Sequence, residues 1–181
     1  LFFELKIKNY YLEYLNVLMK KIKTYIFRIR LKLKTFNIEK SILIFSEARG
    51  GSTWLMELLK HIPDTIINWE PLHVDYGVVP KSYRLGWRPK IDAENKEHKY
   101  KTLFASILRL RIFNNWTTKY VSWNDIQSSK YVITKFVRAN QCLPWLIKTF
   151  PNLKHPPIFL LRHPITTCIS RLKTFEGVTN A

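Results

Sequence analysis

A turn with two adjacent glycines, set between an apolar run and a helical pattern, constrains the fold most. The chain has five glycines in 181 residues, and Gly50 and Gly51 supply two of them. Residues 41–45 before the turn are predicted as a buried strand, and residues 52–61 after it as a helix. Residues 65–69 are predicted as a second strand. Strand, helix and strand at this spacing predict a parallel sheet.

The rest of the chain continues this alternation after a stretch that is harder to assign. Residues 77–130 mix aromatic and basic side chains and are predicted to be loop-rich, with one helix at 103–112. Beyond them the pattern predicts two further strands and two helices, at 131–136 and 157–161 for the strands and 143–150 and 165–175 for the helices. We therefore expect a three-layer α/β/α domain with a P-loop-like parallel sheet over residues 41–181.

Residues 1–40 form a separate basic block with helical periodicity. They hold ten basic and three acidic residues and no proline or glycine. The predicted segment is a basic amphipathic helix, which either packs on the domain with its lysines in water or lies on a membrane surface. The packed helix is the preferred interpretation.

Composition restricts the partners and the compartment. The formal charge of +17 indicates an anionic partner, and the low glycine and cysteine counts exclude collagen-like and disulfide-knotted folds. No apolar run approaches the roughly 18 residues of a membrane span, and charged residues interrupt any signal-peptide core near the start. Two cysteines fit a reducing compartment. A cytoplasmic or membrane-peripheral protein is expected.

The glycine turn has the properties of a phosphate-binding loop. It would present free backbone N–H groups at a helix N-terminus, where the helix dipole favours an anion. The candidate ligands are the guanidinium of Arg49, the backbone of Gly50 and Gly51, and the hydroxyls of Ser52 and Thr53. No lysine precedes Ser52, so the loop is not a Walker A motif, and an ATP-dependent kinase is disfavoured. Glu47 places a negative charge beside the turn, which suits a phosphate only if the carboxylate points away.

A second candidate anion site follows the last predicted strand. Arg162 ends that strand, which we expect to be buried, and Ser170 lies two turns into the next helix. In a parallel sheet Arg162 and the glycine turn would both emerge at the carboxyl edge, where ligands bind. Two phosphate sites at one edge suggest a nucleotide with phosphates on two different carbons.

Together these segments resemble the sulfotransferase family, which uses 3′-phosphoadenosine 5′-phosphosulfate (PAPS). Residues 48–55 are similar to the family's first motif, which implies that Arg49 through Trp54 bind the 5′-phosphosulfate. Residues 161–172 are similar to the second motif, which implies that Arg162 and Ser170 hold the 3′-phosphate. Trp54 would stack on the adenine or pack in the core, and core packing is preferred. The family continues with further elements after this motif, so the chain is expected to be C-terminally incomplete.

Further similarity points to the carbohydrate sulfotransferases. Residues 69–73 resemble the Glu-Pro-Leu segment of that branch, and residues 130–135 and 151–154 resemble the run before its second motif. The resemblance implies a hydroxyl of a carbohydrate or glycoconjugate as acceptor. The aromatic and basic stretch at residues 83–88 is a candidate contact for such an acceptor.

The chemistry requires a base for the acceptor hydroxyl and positive charge beside the leaving group. Glu70 is the candidate base, with His73 as the second choice and Asp75 as the third. Arg49, with the N–H groups of Ser52 and Thr53, would stabilise the leaving group. The histidines and cysteines show no metal-ligand spacing, so no metal is expected.

A different class of function fits the charge. Residues 1–40 and 77–130 would then form a non-enzymatic basic module that binds nucleic acid or an anionic membrane. Such binding weakens steeply with salt and tolerates any polyanion, whereas a defined pocket prefers a 3′-phosphorylated nucleotide. The ordered phosphate motifs favour the enzyme, and nucleic acid is the less expected partner.

Overall fold

The computed structural model describes the backbone of residues 2–179 and the side chains of residues 12–174. The chain divides into two compact units, Leu1–Thr35 and Phe36–Ala181. The first unit is one long helix, α1 (Phe2–Leu33). It is shorter than the predicted 40-residue segment, because residues 34–37 are not helical and Ile38–Lys40 form a separate 3₁₀ turn. No helix in the described part of the chain is both long and apolar enough to cross a bilayer.

The second unit is built on a parallel sheet of four strands. These are β1 (Ile42–Ser46), β2 (Thr65–Trp69), β3 (Tyr131–Val137) and β4 (Ile158–Leu160). They lie in the order β2-β3-β1-β4, and every neighbouring pair is parallel. Helices flank the sheet, so the predicted α/β class with a parallel sheet is confirmed. Each predicted strand matches the observed one to within one residue at both ends.

In the described residues of the second unit, five α-helices accompany the sheet. They are α2 (Ser52–Leu59), α3 (His98–Leu108), α4 (Trp123–Ser128), α5 (Leu143–Thr149) and α6 (Pro164–Thr179). Helix α4 was missed, although Ser122 and Asp125 form a capping box that marks its start. The predicted helix at residues 103–112 begins five residues earlier in the structure and ends four residues earlier, because Leu110 adopts a positive φ of 54°.

Alternate residues of the central strand face the two sides of the sheet. Leu43 and Phe45 pack on one side in a cluster that includes Phe104 and Trp145 of α3 and α5. Ile42 and Ile44 pack on the other side with Met56 of α2. All five residues of β1 are buried, which matches the uninterrupted apolar run expected for a central parallel strand.

The prediction that β4 is a buried strand was wrong. Phe159 is 45% exposed and Leu161, just after the strand, is 72% exposed. Within the described residues β4 pairs only with β1 and forms the edge of the sheet. An edge position explains why an apolar sequence is exposed here.

The strand order creates a crevice at the carboxyl edge of the sheet. The connection after β1 runs through α2, over one face of the sheet, to β2, and the connection after β3 runs in the opposite direction through α5, over the other face, to β4. Adjacent strands whose connections run in opposite directions over opposite faces form the topological switch point where ligands of open parallel sheets bind. The glycine turn follows β1 directly at this point.

Candidate active site

A cleft of about 440 Å³ opens at the carboxyl edge of the sheet. It is formed by the turn after β1, the start of α2 and the residues at the ends of β2, β3 and β4. Its lining residues are Ala48, Arg49, Gly51, Ser52, Thr53, Trp54, Glu70, His73, Lys135, Val137, Arg138 and Arg162. The sequence predictions from both motifs and from the Glu-Pro-Leu segment therefore meet in one place.

The glycine turn depends on both of its glycines. Gly51 has a φ of 92°, a left-handed conformation that glycine adopts without strain. A Cβ on Gly50 would lie 2.8 Å from the carbonyl oxygen of Glu47, so a side chain there would displace the turn. Gly51 caps α2 without a side-chain hydrogen bond, which leaves the N–H groups of the first helical turn facing the cleft region. This arrangement suits a phosphate or sulfate group.

The two predicted anion motifs are in direct contact. Nε of Arg49 donates a hydrogen bond of 3.0 Å to Oγ of Ser170. Nη1 of Arg162 donates one of 3.2 Å to the backbone carbonyl oxygen of Arg49. Arg49 and Arg162 line the cleft, whereas Ser170 of α6 contacts Arg49 and is not a lining residue. The structure thus brings together two guanidinium groups from segments more than 100 residues apart.

Glu47 does not place its charge in the cleft. Its carboxylate accepts hydrogen bonds from Arg88 at 3.1 Å, Arg171 at 2.9 Å and Asn140 at 3.2 Å. Two guanidinium groups therefore neutralise the acid that the sequence puts beside the glycine turn. Glu47 instead links the turn to α6 and to the loop that carries Arg88.

Lys135 is the central residue that the sequence prediction missed. Its side chain is 2% exposed, and Nζ donates to Oε1 of Glu70 at 2.8 Å and to Oγ1 of Thr53 at 3.0 Å. Nζ also lies 3.5 Å from the ring centroid of Trp69. Burial lowers the pKa of Lys135, and the hydrogen bond to Glu70 opposes this effect. A lysine inside an otherwise apolar strand was the available signal, because a buried charge needs a partner.

Glu70 is held in place by both its backbone and its side chain. It follows β2 directly and has a φ of 37°, which is unusual for a residue other than glycine. Such conformations persist where surrounding contacts enforce them, and they cluster at functional sites. The side chain is 16% exposed and forms the salt bridge with Lys135. Glu70 therefore presents a fixed carboxylate to the cleft.

His73 also lines the cleft, but its ring is oriented as a hydrogen-bond donor. Nδ1 accepts from the backbone N–H groups of Asp75 and Tyr76, each at 3.3 Å. In the neutral ring the hydrogen must then be on Nε2. Burial lowers the pKa of His73, against the opposing charges of Glu70 and Asp75. Asp75 is exposed and lies outside the cleft lining.

The lowered pKa of His73 predicts a pH dependence of stability. The unfolded histidine, whose ordinary pKa is 6.5, binds its proton more readily than the folded one. The contribution of His73 to the free energy of unfolding is therefore fully present above pH 6.5. It is lost as the pH falls from 6.5 through the pKa of His73 in the folded protein, which is lower. We expect acidification below pH 6.5 to lower the free energy of unfolding more in the wild type than in His73→Gln. Urea unfolding across this range measures the difference, and parallel curves for the two proteins would contradict it.

An aromatic wall borders the cleft beyond His73. We define it as His73, Tyr76, Trp87 and Trp116, whose rings form contacts of 4.9–5.1 Å between centroids. Trp87 is 49% exposed and Tyr76 is 57% exposed. Arg138, a cleft residue, lies 4.8 Å from the ring of Trp87. The segment predicted as loop-rich therefore supplies two tryptophans to the site region.

The prediction that Trp54 packs in the core was wrong. Its side chain is 64% exposed and lines the cleft. Helix α2 turns Met56 towards the sheet, with Leu55 and Leu59 against the same cluster. One turn of helix cannot place Trp54 on that side as well, so the indole faces the cleft and solvent.

The protein is an α/β domain with a parallel sheet, and its glycine turn borders a cleft at the switch point of that sheet. The sequence pattern of the sulfotransferase family matches residues 41–181, and the chain belongs to this family. Membership implies PAPS-dependent sulfuryl transfer and leaves the acceptor unspecified. Comparisons with curated proteins and with solved structures give no match. Within the described residues no group of three or more histidine, cysteine or acidic side chains is arranged to hold a metal ion.

Proposed function

We propose that the protein is an O-sulfotransferase that uses Glu70 as its general base and takes a carbohydrate or glycoconjugate as acceptor. One observation carries the proposal. The Glu70–Lys135–Thr53 hydrogen-bonded group lies in the same cleft as the phosphate-binding turn. A carboxylate, an ammonium and a hydroxyl therefore meet next to the place where an anionic donor would bind.

The residues of the two motifs fit the anionic groups of PAPS. The turn residues Arg49, Gly50 and Gly51 and the helix start at Ser52 and Thr53 would hold the 5′ end. Arg162 would hold the 3′-phosphate, and Ser170, which accepts the hydrogen bond from Nε of Arg49, would fix the side chain of Arg49. The exposed indole of Trp54 at the cleft is available for stacking on the adenine. PAPS supplies the sulfuryl group and the phosphate leaving group.

The cleft residues divide the chemical work. The carboxylate of Glu70 takes the proton of the acceptor hydroxyl as the hydroxyl oxygen attacks the sulfur of PAPS and the bond from sulfur to the phosphate oxygen breaks. Lys135 holds Glu70 and places positive charge beside Thr53. That charge, with the guanidinium of Arg49 and the N–H groups at the start of α2, stabilises the negative charge that develops on the leaving oxygen.

The orientation of His73 supports Glu70 as the base. A ring whose Nδ1 accepts two backbone hydrogen bonds has Nε2–H to offer and no free acceptor. His73 is thus suited to orient the acceptor or the carboxylate. Asp75, which is exposed and outside the cleft lining, is poorly placed for proton transfer.

The aromatic wall and its cations support a saccharide acceptor. Exposed aromatic faces such as those of Trp87 and Tyr76 can stack on the apolar C–H face of a sugar ring. Arg138 lies against Trp87, and Lys119 lies 4.0 Å from the ring of Trp69. These cations suit an acceptor that carries carboxylate or sulfate groups. The similarity of residues 69–73 to the carbohydrate branch points the same way.

Transfer from radiolabelled PAPS to a panel of acceptors tests this function. The panel contains a uronate-bearing oligosaccharide, a neutral oligosaccharide, a tyrosine peptide and a simple phenol. We expect label on the saccharides, most on the anionic one. Label on the peptide or the phenol alone would reject the carbohydrate acceptor while keeping the sulfotransferase, and no label on any acceptor would argue against the proposed activity.

A further inference from the structure

Helix α1 carries a continuous apolar stripe over its second half. At 100° per residue, eight side chains between residues 15 and 33 fall in a sector about 120° wide. Each of them is between 40% and 76% exposed. They are Leu15, Leu18, Met19, Ile22, Tyr25, Ile26, Ile29 and Leu33. We call this set the apolar stripe.

The charged residues in the same part of the helix are all basic. Between residues 14 and 33 there are six basic residues and no acidic residue. All six lie outside the sector of the apolar stripe when the helix is drawn at 100° per residue. They are Lys20, Lys21, Lys23, Arg28, Arg30 and Lys32. Exposed apolar residues are thus bordered by charge of a single sign.

We propose that helix α1 lies in the surface of an anionic membrane, with the apolar stripe among the acyl chains. Amphipathic helices with a basic polar face and an apolar face bind such surfaces by burying the apolar face and attracting anionic lipid. Long lysine and arginine side chains can extend from the flanks to the headgroups. This binding goes beyond the proposed transferase activity and does not depend on it.

The length and charge of the helix favour lying on the bilayer. Nineteen residues of helix extend about 28 Å, close to the thickness of the hydrocarbon core. The lysines at positions 20, 21 and 23 would fall in the middle of a span, where charge is costly. When the helix lies in the membrane plane, the same lysines reach the headgroups while the apolar stripe contacts the acyl chains.

Two other occupants fit the helix less well. Nucleic acid would pair with the basic residues but would leave the apolar stripe in water. The apolar stripe is wider than the a/d seam of a two-stranded coiled coil, so a second copy of the helix would leave part of the stripe uncovered. It would also bring two surfaces of like charge together. A bilayer with anionic headgroups matches both the stripe and the charge.

Vesicle flotation with the full chain tests the proposal. Vesicles of phosphatidylcholine alone are compared with vesicles that also contain phosphatidylserine, whose anionic headgroups give the surface a negative potential. We expect binding to the anionic vesicles, and a loss of roughly fivefold in partitioning for each of Lys20→Gln, Lys21→Gln and Lys23→Gln. Ile22→Ser removes part of the apolar stripe and should reduce partitioning roughly tenfold.

Val17→Ser is the matched control for the stripe. Val17 is 54% exposed but lies on the other side of the helix from Ile22. Both changes replace a β-branched apolar residue by serine, so their effects on helix formation are similar. We expect Val17→Ser to bind vesicles as the wild type does. Far-UV circular dichroism and sulfuryl transfer to a soluble acceptor should stay unchanged in both variants.

Several results would overturn the membrane proposal. They are no binding to anionic vesicles, an equal loss in Val17→Ser and Ile22→Ser, and self-association without lipid that Ile22→Ser abolishes. Binding to heparin or single-stranded DNA that Ile22→Ser leaves intact, without vesicle binding, would assign the helix to polyanions. Because transfer to a soluble acceptor is measured in the same proteins, failure of the helix proposal is distinguishable from failure of the proposed function.

Discussion

Replacing Glu70 by glutamine is expected to lower kcat for sulfuryl transfer by roughly 10²–10⁴-fold, the usual contribution of a general base. In the wild type, Nζ of Lys135 donates to Oε1 of Glu70 at 2.8 Å. Glutamine keeps the shape of the side chain, and its amide oxygen can still accept this hydrogen bond. It has no carboxylate to take the proton of the acceptor hydroxyl. Because Glu70 is proposed to act on the acceptor, the affinity for the nucleotide should change little. Steady-state kinetics with calorimetric nucleotide binding measures both quantities.

Glu57→Gln is the matched control for this change. Glu57 is an exposed glutamate of α2 that does not line the cleft, so we expect kcat to stay within about twofold, as for surface substitutions. His73→Gln tests the other candidate base in the same assay. If Glu70→Gln kept most of the wild-type kcat while His73→Gln lost it, the assignment of the base would be reversed.

Replacing Lys135 by methionine should damage both activity and stability. Removal of one cation from the reacting region is expected to lower kcat by roughly 10²–10³-fold. It also leaves Glu70, whose side chain is 16% exposed, without its partner in a site that is largely shielded from water. Breaking a buried pair in this way typically costs about 3–5 kcal/mol, and the partial exposure of Glu70 suggests a loss of about 3 kcal/mol. Urea unfolding and kinetics on the same protein measure the two effects.

Lys130→Met separates the buried pair from an ordinary surface pair. Lys130 immediately precedes β3 and bonds Asp64 at 2.6 Å, but its side chain is 64% exposed. We expect little change in unfolding midpoint or kcat, because solvent screens exposed pairs. The double variant Glu70→Gln with Lys135→Met should be more stable than Lys135→Met alone, since no unpaired charge remains. If Lys135→Met were as stable as Lys130→Met, the buried pair would not have the importance assigned to it.

The parallel sheet was predictable because its strands carry strong local signals. Residues 65–69 are mostly apolar or β-branched and are bounded by turn residues, and the structure has that strand with the same limits. The glycine turn predicted the start of α2 at residue 52, also as observed. Strand β4 has an equally apolar sequence, but exposure at a sheet edge depends on which strands are neighbours. Local composition carries no information on that point, so its burial was predicted wrongly.

The candidate site residues could be predicted from the sequence where one residue type at one turn has a specific chemistry. Arg49, Gly51 and Glu70 were predicted as site residues, and the structure brings them to one cleft, while their roles stay predictions. Lys135 was missed because its importance comes from contacts with Thr53 and Glu70, which lie 82 and 65 residues away in the chain. The same reason applies to the aromatic wall, since Trp87 and Trp116 meet His73 only through the fold.

The central claim is that the cleft recognises a nucleotide with a 3′-phosphate through Arg162. Calorimetric titration with 3′-phosphoadenosine 5′-phosphate, beside ATP and AMP, tests it most directly. Arg162→Ala is compared with Arg109→Ala, an exposed arginine after α3 that does not line the cleft. Loss of the hydrogen bond between Arg162 and the charged 3′-phosphate should weaken nucleotide binding roughly tenfold to a hundredfold, the usual contribution of a hydrogen bond to a charged group.

We predict that only the 3′-phosphorylated nucleotide binds tightly, that Arg162→Ala removes this preference and that Arg109→Ala keeps it. Equal binding of all three nucleotides, or no binding of any, would contradict the claim. Tight binding of 3′-phosphoadenosine 5′-phosphate that survives in Arg162→Ala would keep the nucleotide but place its 3′-phosphate elsewhere.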